Sequence, residues 1–287
     1  MRLTKLLSLL LTIMIVFSFI FLFLHKIAQS SFNSSTIHIT GFIYLAILII
    51  YGWIFGTIAL LLAKKENINL PILNKPNRYF VFNLLFPIVI LIISITISLL
   101  IKEYQIVNMM QLYMPNIIIF NSMSFNLIFI SFILVLCNII NGLITAFCVM
   151  LGGELMWRGY LLNKVKTEGF WIASLYTGIL FSLWSIAPLL FGDLENIFLK
   201  IPETIMIAVL ISPLMVYMRI KGRSLIVPAT TYSFFVSIGS IGNFLFSPNI
   251  AVFFSSTGLL GICALLLVNF YLYTQKLPQS FLSDNLS

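Results

Sequence analysis

The segment 152–163 (GGELMWRGYLLN) carries a charged pair inside the apolar second half of the chain. Glu154 and Arg158 are four residues apart, so on a helix they share one face, and glutamate first is the more favourable order. Charged groups at membrane depth are costly and are candidates for function. Spacing alone favours an ion pair that caps the end of a membrane span. The functional interpretation is a pair that holds a polar cavity open at the membrane face.

Three serines are the other groups that could do chemistry, namely Ser185, Ser233 and Ser237. A serine nucleophile needs an adjacent base to remove its proton. The chain has only two histidines, His25 and His38, which we expect at the ends of an outer loop across the membrane from Glu154. Serines in spans more often bond to a backbone carbonyl or a neighbouring helix. With no histidine cluster and no cysteine motif, we expect neither a metal site nor a cofactor.

Three short motifs contain these residues in order along the chain. The first, residues 153–162, reads GELMWRGYLL. The second, residues 181–185, reads FSLWS and is followed by Pro188. The third begins at Pro228 and runs to Ser237 as PATTYSFFVS. Together they resemble the CPBP intramembrane endopeptidases, the Abi-like family that includes CAAX-processing and bacteriocin-processing proteases. Its motifs are Glu-Glu-x-x-x-Arg, Phe-x-x-x-His, and His-x-x-x-Asn or His-x-x-x-Asp.

The chain departs from the family pattern at the positions that carry chemistry. In the family, the resemblance implies, a carboxylate and an imidazole activate water, while a histidine and an amide stabilise the oxyanion. Here glycine replaces the first glutamate and serines replace both histidines and the asparagine, at Gly153, Ser185, Ser233 and Ser237. The motif framework remains, at Glu154, Arg158, Phe181, Trp184, Pro188 and Pro228. Losing a general base typically costs about 10² to 10⁴ in rate, so we expect little catalysis.

Composition predicts the elements that must position these residues. Of 287 residues, 61% are hydrophobic and 8% charged, against about 25% charged in soluble domains. Apolar stretches of roughly 20 residues predict about eight membrane spans. The first has 19 apolar residues between Lys5 and His25, longer than a signal-peptide core of roughly 7–15, so we expect a retained helix. The predicted fold is an all-α, polytopic transmembrane helix bundle with a CPBP-type core.

Basic residues predict the orientation of the bundle. With eight spans and the N-terminus inside, 13 of the 16 lysines and arginines fall on one side. Only Lys26, Lys102 and Lys200 fall on the other. The bias predicts a multi-pass protein of the cell membrane with both termini cytoplasmic. The net charge of +8 is spread over several segments, which argues against nucleic-acid binding.

Three regions are expected along the chain. Residues 1–125 form an N-terminal three-span region without a chemical motif, residues 126–275 form the CPBP-like five-span core, and residues 276–287 form a short cytoplasmic tail. The leading hypothesis is a non-catalytic relative of the endopeptidases that binds the lipid bilayer and a hydrophobic peptide or membrane partner, in immunity, envelope maintenance or secretion. The alternatives are an active endopeptidase that uses Glu154 and Arg158, and a membrane transporter.

Overall fold

The computed structural model describes residues 3–30, 34–73, 78–101, 123–191, 194, 197–245, 258–277, 280 and 282. Within them the chain forms eight long helical elements and no strand. Before the motifs lie α1 (Leu3–Ser30), α2 (Ser34–Lys65) and α3 (Arg78–Ile101). Helix α4 covers residues 123–165, followed by α5 (Phe170–Leu189), α6 (Ile197–Gly222), α7 (Ile226–Leu245) and α8 (Leu259–Thr274). The predicted all-α membrane bundle is confirmed.

Six of the described helices are long and apolar enough to cross a bilayer, namely α1 to α6. The described parts of α7 and α8 are shorter apolar helices. Their order agrees with the eight predicted spans, and the chain is a multi-pass membrane protein. The uncharged sequence before the fourth span contains polar residues from Asn108 to Asn121, and these lie outside the described residues.

Helix α4 is interrupted by two π-helical stretches on either side of Glu154. Met123–Thr145 is α-helical, Ala146–Met150 is π-helical, Leu151–Glu154 is α-helical, Leu155–Leu161 is π-helical and Leu162–Val165 is α-helical. The π-helical turn is rare and frequent at functional sites, because its wider winding redirects side chains. The helix therefore continues well past Glu154. Both side chains of the charged pair are buried within the bundle, and their position at the end of a membrane span stays a prediction.

Glycines bring α2 and α4 into backbone contact. A Cβ atom added at Gly52 would lie 2.5 Å from the Val149 carbonyl oxygen, and one at Gly152 would lie 2.5 Å from the Gly52 oxygen. A Cβ at Gly56 would lie 2.9 Å from the Gly152 Cα. Small residues at this spacing let membrane helices approach closely. The N-terminal region is thus packed directly against the segment that carries Glu154.

An extended segment that follows α2 covers one end of the bundle. We call residues 66–73 the strap. Its Pro71 and Ile72 carbonyls accept hydrogen bonds from the Leu225 and Ile226 amides, at 2.9 and 3.2 Å, and Ile72 also accepts from the Ser224 hydroxyl at 2.7 Å. These amides belong to the start of α7, where helix N–H groups lack intrahelical partners. The strap thereby fixes the start of the helix that bears the third motif.

Candidate functional site

Glu154 and Arg158 form an ion pair inside the bundle. The Arg158 Nη1 donates to Glu154 Oε1 at 2.8 Å, and both side chains are fully buried. The second guanidinium nitrogen, Nη2, donates to the Ser212 hydroxyl of α6 at 3.2 Å. Ser212 in turn donates to the Ser174 carbonyl of α5 at 2.7 Å. The pair therefore joins α4, α5 and α6 through a chain of polar contacts.

Close approach of α5 and α6 makes these contacts possible. A Cβ added at Gly178 would lie 2.8 Å from the Ser212 Cβ, so α5 has room for that serine only because residue 178 is glycine. The Thr177 hydroxyl lies 3.5 Å from the Ser212 hydroxyl. Neither Ser212 nor Gly178 was predicted from the sequence to belong to the site. The signal that would have indicated the contact is the small residue every fourth position in α5, Ser174 and Gly178.

Aromatic rings from two motifs surround the guanidinium of Arg158. Its central carbon lies 4.4 Å from the centre of the Phe181 ring, a cation–π contact. The Phe181 ring meets Tyr232 of α7 edge to face, with centroids 4.7 Å apart. The structure thus brings together the first motif (Arg158), the second (Phe181) and the third (Tyr232), as the resemblance implies.

Trp184 anchors the opposite side of the second motif. Its ring stacks on Tyr51 of α2 at 5.5 Å between centroids with planes 8° apart. The Tyr51 hydroxyl donates to the Trp184 carbonyl at 3.0 Å, and Phe55 of α2 packs against both Trp157 and Trp184. The N-terminal region thus supplies part of the site wall, which sequence analysis missed. The Gly52–Gly56 spacing on the same helix was the available signal.

Indole rings cover the position of the missing carboxylate. A Cβ added at Gly153 would lie 3.3 Å from Trp184 Cη2 and 3.4 Å from Trp157 Nε1. Both tryptophans are buried. A glutamate at position 153 would therefore project into the space that these rings fill, and it would have to displace at least Trp184.

The three serines have structural surroundings. Ser185 donates to the Phe181 carbonyl of its own helix at 2.9 Å, as expected for a serine in a span, and it also interacts with the Tyr232 hydroxyl. Ser237 accepts a 3.4 Å hydrogen bond from the Asn141 amide. Ser233 is buried without a hydrogen-bond partner among the described residues. Among the described contacts of these serines there is therefore no lysine or histidine that could activate a serine nucleophile.

The two prolines of the motif framework, Pro188 and Pro228, lie in the helices that carry these serines. Pro188 lies half-buried near the end of α5, and its carbonyl accepts from the Phe191 amide at 3.2 Å. Pro228 is buried in the first turn of α7, where a missing N–H costs little. His25 of α1 lies near the C-terminal end of α5, where its Nδ1 is 2.9 Å from the Phe191 carbonyl oxygen. It is therefore not part of the charged site. The side chain of His38 lies outside the described residues.

Six buried polar atoms at or near the pair have no hydrogen-bond partner in the described part of the chain. They are Glu154 Oε2, Trp157 Nε1, Arg158 Nε, Ser174 Oγ, Trp184 Nε1 and Ser233 Oγ. Buried polar groups are normally hydrogen-bonded, so such a group calls for a partner such as water or a ligand. Together they offer one carboxylate acceptor, two indole donors, one guanidinium donor and two hydroxyls. Among the described residues, no group of three histidine, cysteine or acidic side chains could hold a metal ion.

The strap lies directly beside the first motif. A Cβ at Gly159 would lie 3.2 Å from Leu70 Cδ2, so the leucine of the strap packs where residue 159 has no side chain. At the other end of the strap, the Glu66 carboxylate forms an ion pair with Lys164 and accepts a hydrogen bond from the Tyr160 hydroxyl at 3.0 Å. The strap is therefore held to α4 by charge and by packing, next to Arg158.

Acidification is expected to loosen this end of the strap. The hydrogen bond from Lys164, which outweighs partial desolvation, lowers the pKa of the Glu66 carboxyl from its ordinary value. The pair therefore stabilises the docked strap above the ordinary pKa of glutamate, and this contribution is lost as pH falls through the lowered pKa. Because both side chains are partly exposed, we expect an effect under about 1 kcal/mol. Amide hydrogen exchange of residues 66–70 at pH 7 and pH 4 would measure it, with Glu66→Gln expected to abolish the pH dependence.

A comparison with protein families matches residues 133–238 to the family described as Rce1-like, type II CAAX prenyl endopeptidase Rce1-like. The match covers less than half of the chain and includes Glu154, Arg158 and all four altered motif positions. No curated protein matches the chain. The resemblance expected from the three motifs is confirmed over residues 133–238, and the chain is an integral membrane protein that is similar there to the CAAX proteases.

Proposed function

We propose that the protein is a non-catalytic relative of the CAAX-type endopeptidases that binds a hydrophobic peptide, or the membrane segment of a partner protein, where the enzymes bind substrate. One observation carries the proposal. The position of the first glutamate is a glycine, and the rings of Trp157 and Trp184 lie against it at 3.3–3.4 Å from where a Cβ would be. The aromatic rings that shape the site are kept, while the carboxylate that would activate water is absent.

The unpartnered atoms of the site favour a peptide as the ligand. A peptide bond presents one carbonyl acceptor and one N–H donor. The indole N–H groups of Trp157 and Trp184 can donate to such a carbonyl, and Glu154 Oε2 can accept from such an N–H. Apolar side chains of the ligand would meet Phe181 and Tyr232. The identity of the bound partner would decide whether the role is immunity, envelope maintenance or secretion.

An active endopeptidase is the second candidate, and the free oxygen of Glu154 is the observation that favours it. Oε2 has no partner in the described structure, so it can accept a proton. Against it stands the bond from Arg158 to Oε1, which engages the carboxylate in an ion pair within the bundle. Among the described residues, no histidine lies beside Glu154 to help it activate water.

The two candidates are separated by a peptide assay with the full chain in lipid nanodiscs. A tagged library of hydrophobic peptides is incubated with the parent protein and with Glu154→Gln, and cleavage is read by mass spectrometry. We expect no cleavage by either protein and measurable binding by the parent. Cleavage by the parent that is lost in Glu154→Gln would overturn the non-catalytic proposal and make Glu154 the catalytic carboxylate.

The binding part of the proposal has its own variants. Trp184→Ala removes the ring that packs on Tyr51, Phe55 and Phe181, and we expect it to weaken peptide binding by about tenfold or more, as is usual for a buried aromatic anchor. Trp171 lies on the same helix but is exposed on the outer face, so Trp171→Ala is the matched control. Equal binding by both variants would show that the peptide does not use this site.

A further inference from the structure

Arg219 is a buried cation for which the described residues supply no partner. It lies in the last turn of α6, where its side chain is 3% exposed. Its Nε is buried without a hydrogen bond, and no ion pair or ring contact engages the side chain in the described part of the chain. Arg158 on α4 is equally buried but has Glu154, Ser212 and Phe181 as neighbours. Among the described residues, Arg158 therefore has an anionic partner and Arg219 has none.

An unpaired buried charge is expensive, and proteins pair such groups or use them to bind a ligand. The C-terminal end of a helix favours a cation, because its last carbonyl groups carry partial negative charge. That contribution is modest, and here no carbonyl accepts from the guanidinium among the described residues. The guanidinium is a rigid fork of donors that matches carboxylate and phosphate groups. The missing partner is therefore an anion with two or more oxygens.

The position of Arg219 indicates which anion is at hand. It lies at the end of the bundle where the strap contacts α4 and α7, the end that also carries Lys64, Lys65, Lys164 and Lys221. Tyr79 and Tyr217 lie 6.5 Å apart at this end, with Arg78 over the first ring and Lys221 over the second. Tyrosines and basic residues at helix ends mark the headgroup level of a bilayer. The anion present at that depth is the phosphate of a phospholipid.

We infer that Arg219 is the core of a phosphate-binding site at the basic end of the bundle, filled in the membrane by a phospholipid headgroup. The surrounding cations raise the local concentration of anionic lipid. The bound phosphate then supplies the charge that Arg219 lacks and stabilises the junction of α6 with the start of α7. This inference is independent of the peptide site, because it concerns a separate residue in the last turn of α6, seven residues after Ser212.

The test compares the thermal stability of the parent and of Arg219→Gln in detergent, with and without added lipid. The delipidated full chain is titrated with phosphatidylglycerol, phosphatidylcholine or inorganic phosphate, and Tm is followed by tryptophan fluorescence. We expect phosphatidylglycerol to raise the Tm of the parent, and Arg219→Gln to weaken that lipid dependence about tenfold. Without lipid, Arg219→Gln should be at least as stable as the parent, since it removes an unpaired buried charge. Lys26→Gln removes an exposed cation near the end of α1, away from the basic end of the bundle, and should keep the lipid response.

Each other outcome decides the matter as well. An equal response to inorganic phosphate, lost in Arg219→Gln, would support a phosphate site and assign its occupant as the free ion. A lipid response that Arg219→Gln leaves unchanged would overturn the inference, as would a variant that is less stable without lipid and has the same lipid slope. Asp284, in the tail sequence, is the alternative anion. A parent Tm that does not respond to lipid and that falls in delipidated Asp284→Asn would overturn the lipid site. Should Arg219→Gln fail to fold, Arg219→Lys, with its charge but no fork, should show an intermediate response.

Discussion

Replacing Gly52 with alanine is expected to destabilise the bundle, although alanine is the better helix former. The added methyl group would lie 2.5 Å from the Val149 carbonyl oxygen and 3.2 Å from its carbon, both backbone atoms of α4. Since neither atom belongs to a flexible side chain, the two helices must separate. Overpacking of this kind costs about 1–3 kcal/mol. Unfolding of the purified protein in SDS titrations would measure the loss.

Gly41 on the same helix is the matched control. A Cβ added there meets nothing within 4 Å, so Gly41→Ala should stabilise α2 by up to about 0.5–1 kcal/mol through the lower entropy of the unfolded chain. The same chemical change on one helix is therefore expected to act with opposite signs. Stabilisation of both variants would contradict the backbone contact between α2 and α4.

Much of the architecture was predictable because the bilayer imposes length and polarity. Charges such as Lys64 and Arg78 separate the apolar stretches, and a spanning helix must satisfy its own backbone groups. The burial of Glu154 and Arg158 was not predicted, because charged residues that follow an apolar stretch were taken to mark its end. A buried pair that neutralises itself can lie deeper within a helix, and here two π-helical stretches turn it toward α5 and α6.

The site residues that belong to the motifs could be predicted from the sequence. The residues of other helices that contact them could not. Phe181 and Trp184 were identified, and both line the site. Tyr51 and Ser212 were missed because neither belongs to a charged or ordered motif, and which helices lie side by side in the bundle cannot be read from hydropathy. The contact of Trp184 with Gly153 also follows only from the packing of α4 on α5. Small residues at four-residue spacing were the one available indication of these contacts.

Replacing Arg158 with methionine is expected to destabilise the protein more than any other single change at the charged pair. Methionine fills a similar space but leaves the Glu154 carboxylate buried without its partner, and it removes the bond to Ser212 and the contact with Phe181. Breaking a buried ion pair at one member costs about 3–5 kcal/mol. SDS unfolding, or the yield of folded protein where the variant does not accumulate, would measure it.

The double variant Glu154→Gln with Arg158→Met isolates the charge from the packing. With no carboxylate left unpaired, it should regain most of the stability that Arg158→Met loses, because the penalty arises mainly from the orphaned charge. Lys164→Met is the control at an ion pair near the surface, where Lys164 and Glu66 are 36% and 20% exposed, and it should cost no more than about 1 kcal/mol. Were the double variant as unstable as Arg158→Met alone, the bonds of Arg158 to α5 and α6, rather than its neutralisation of Glu154, would hold the centre of the bundle together.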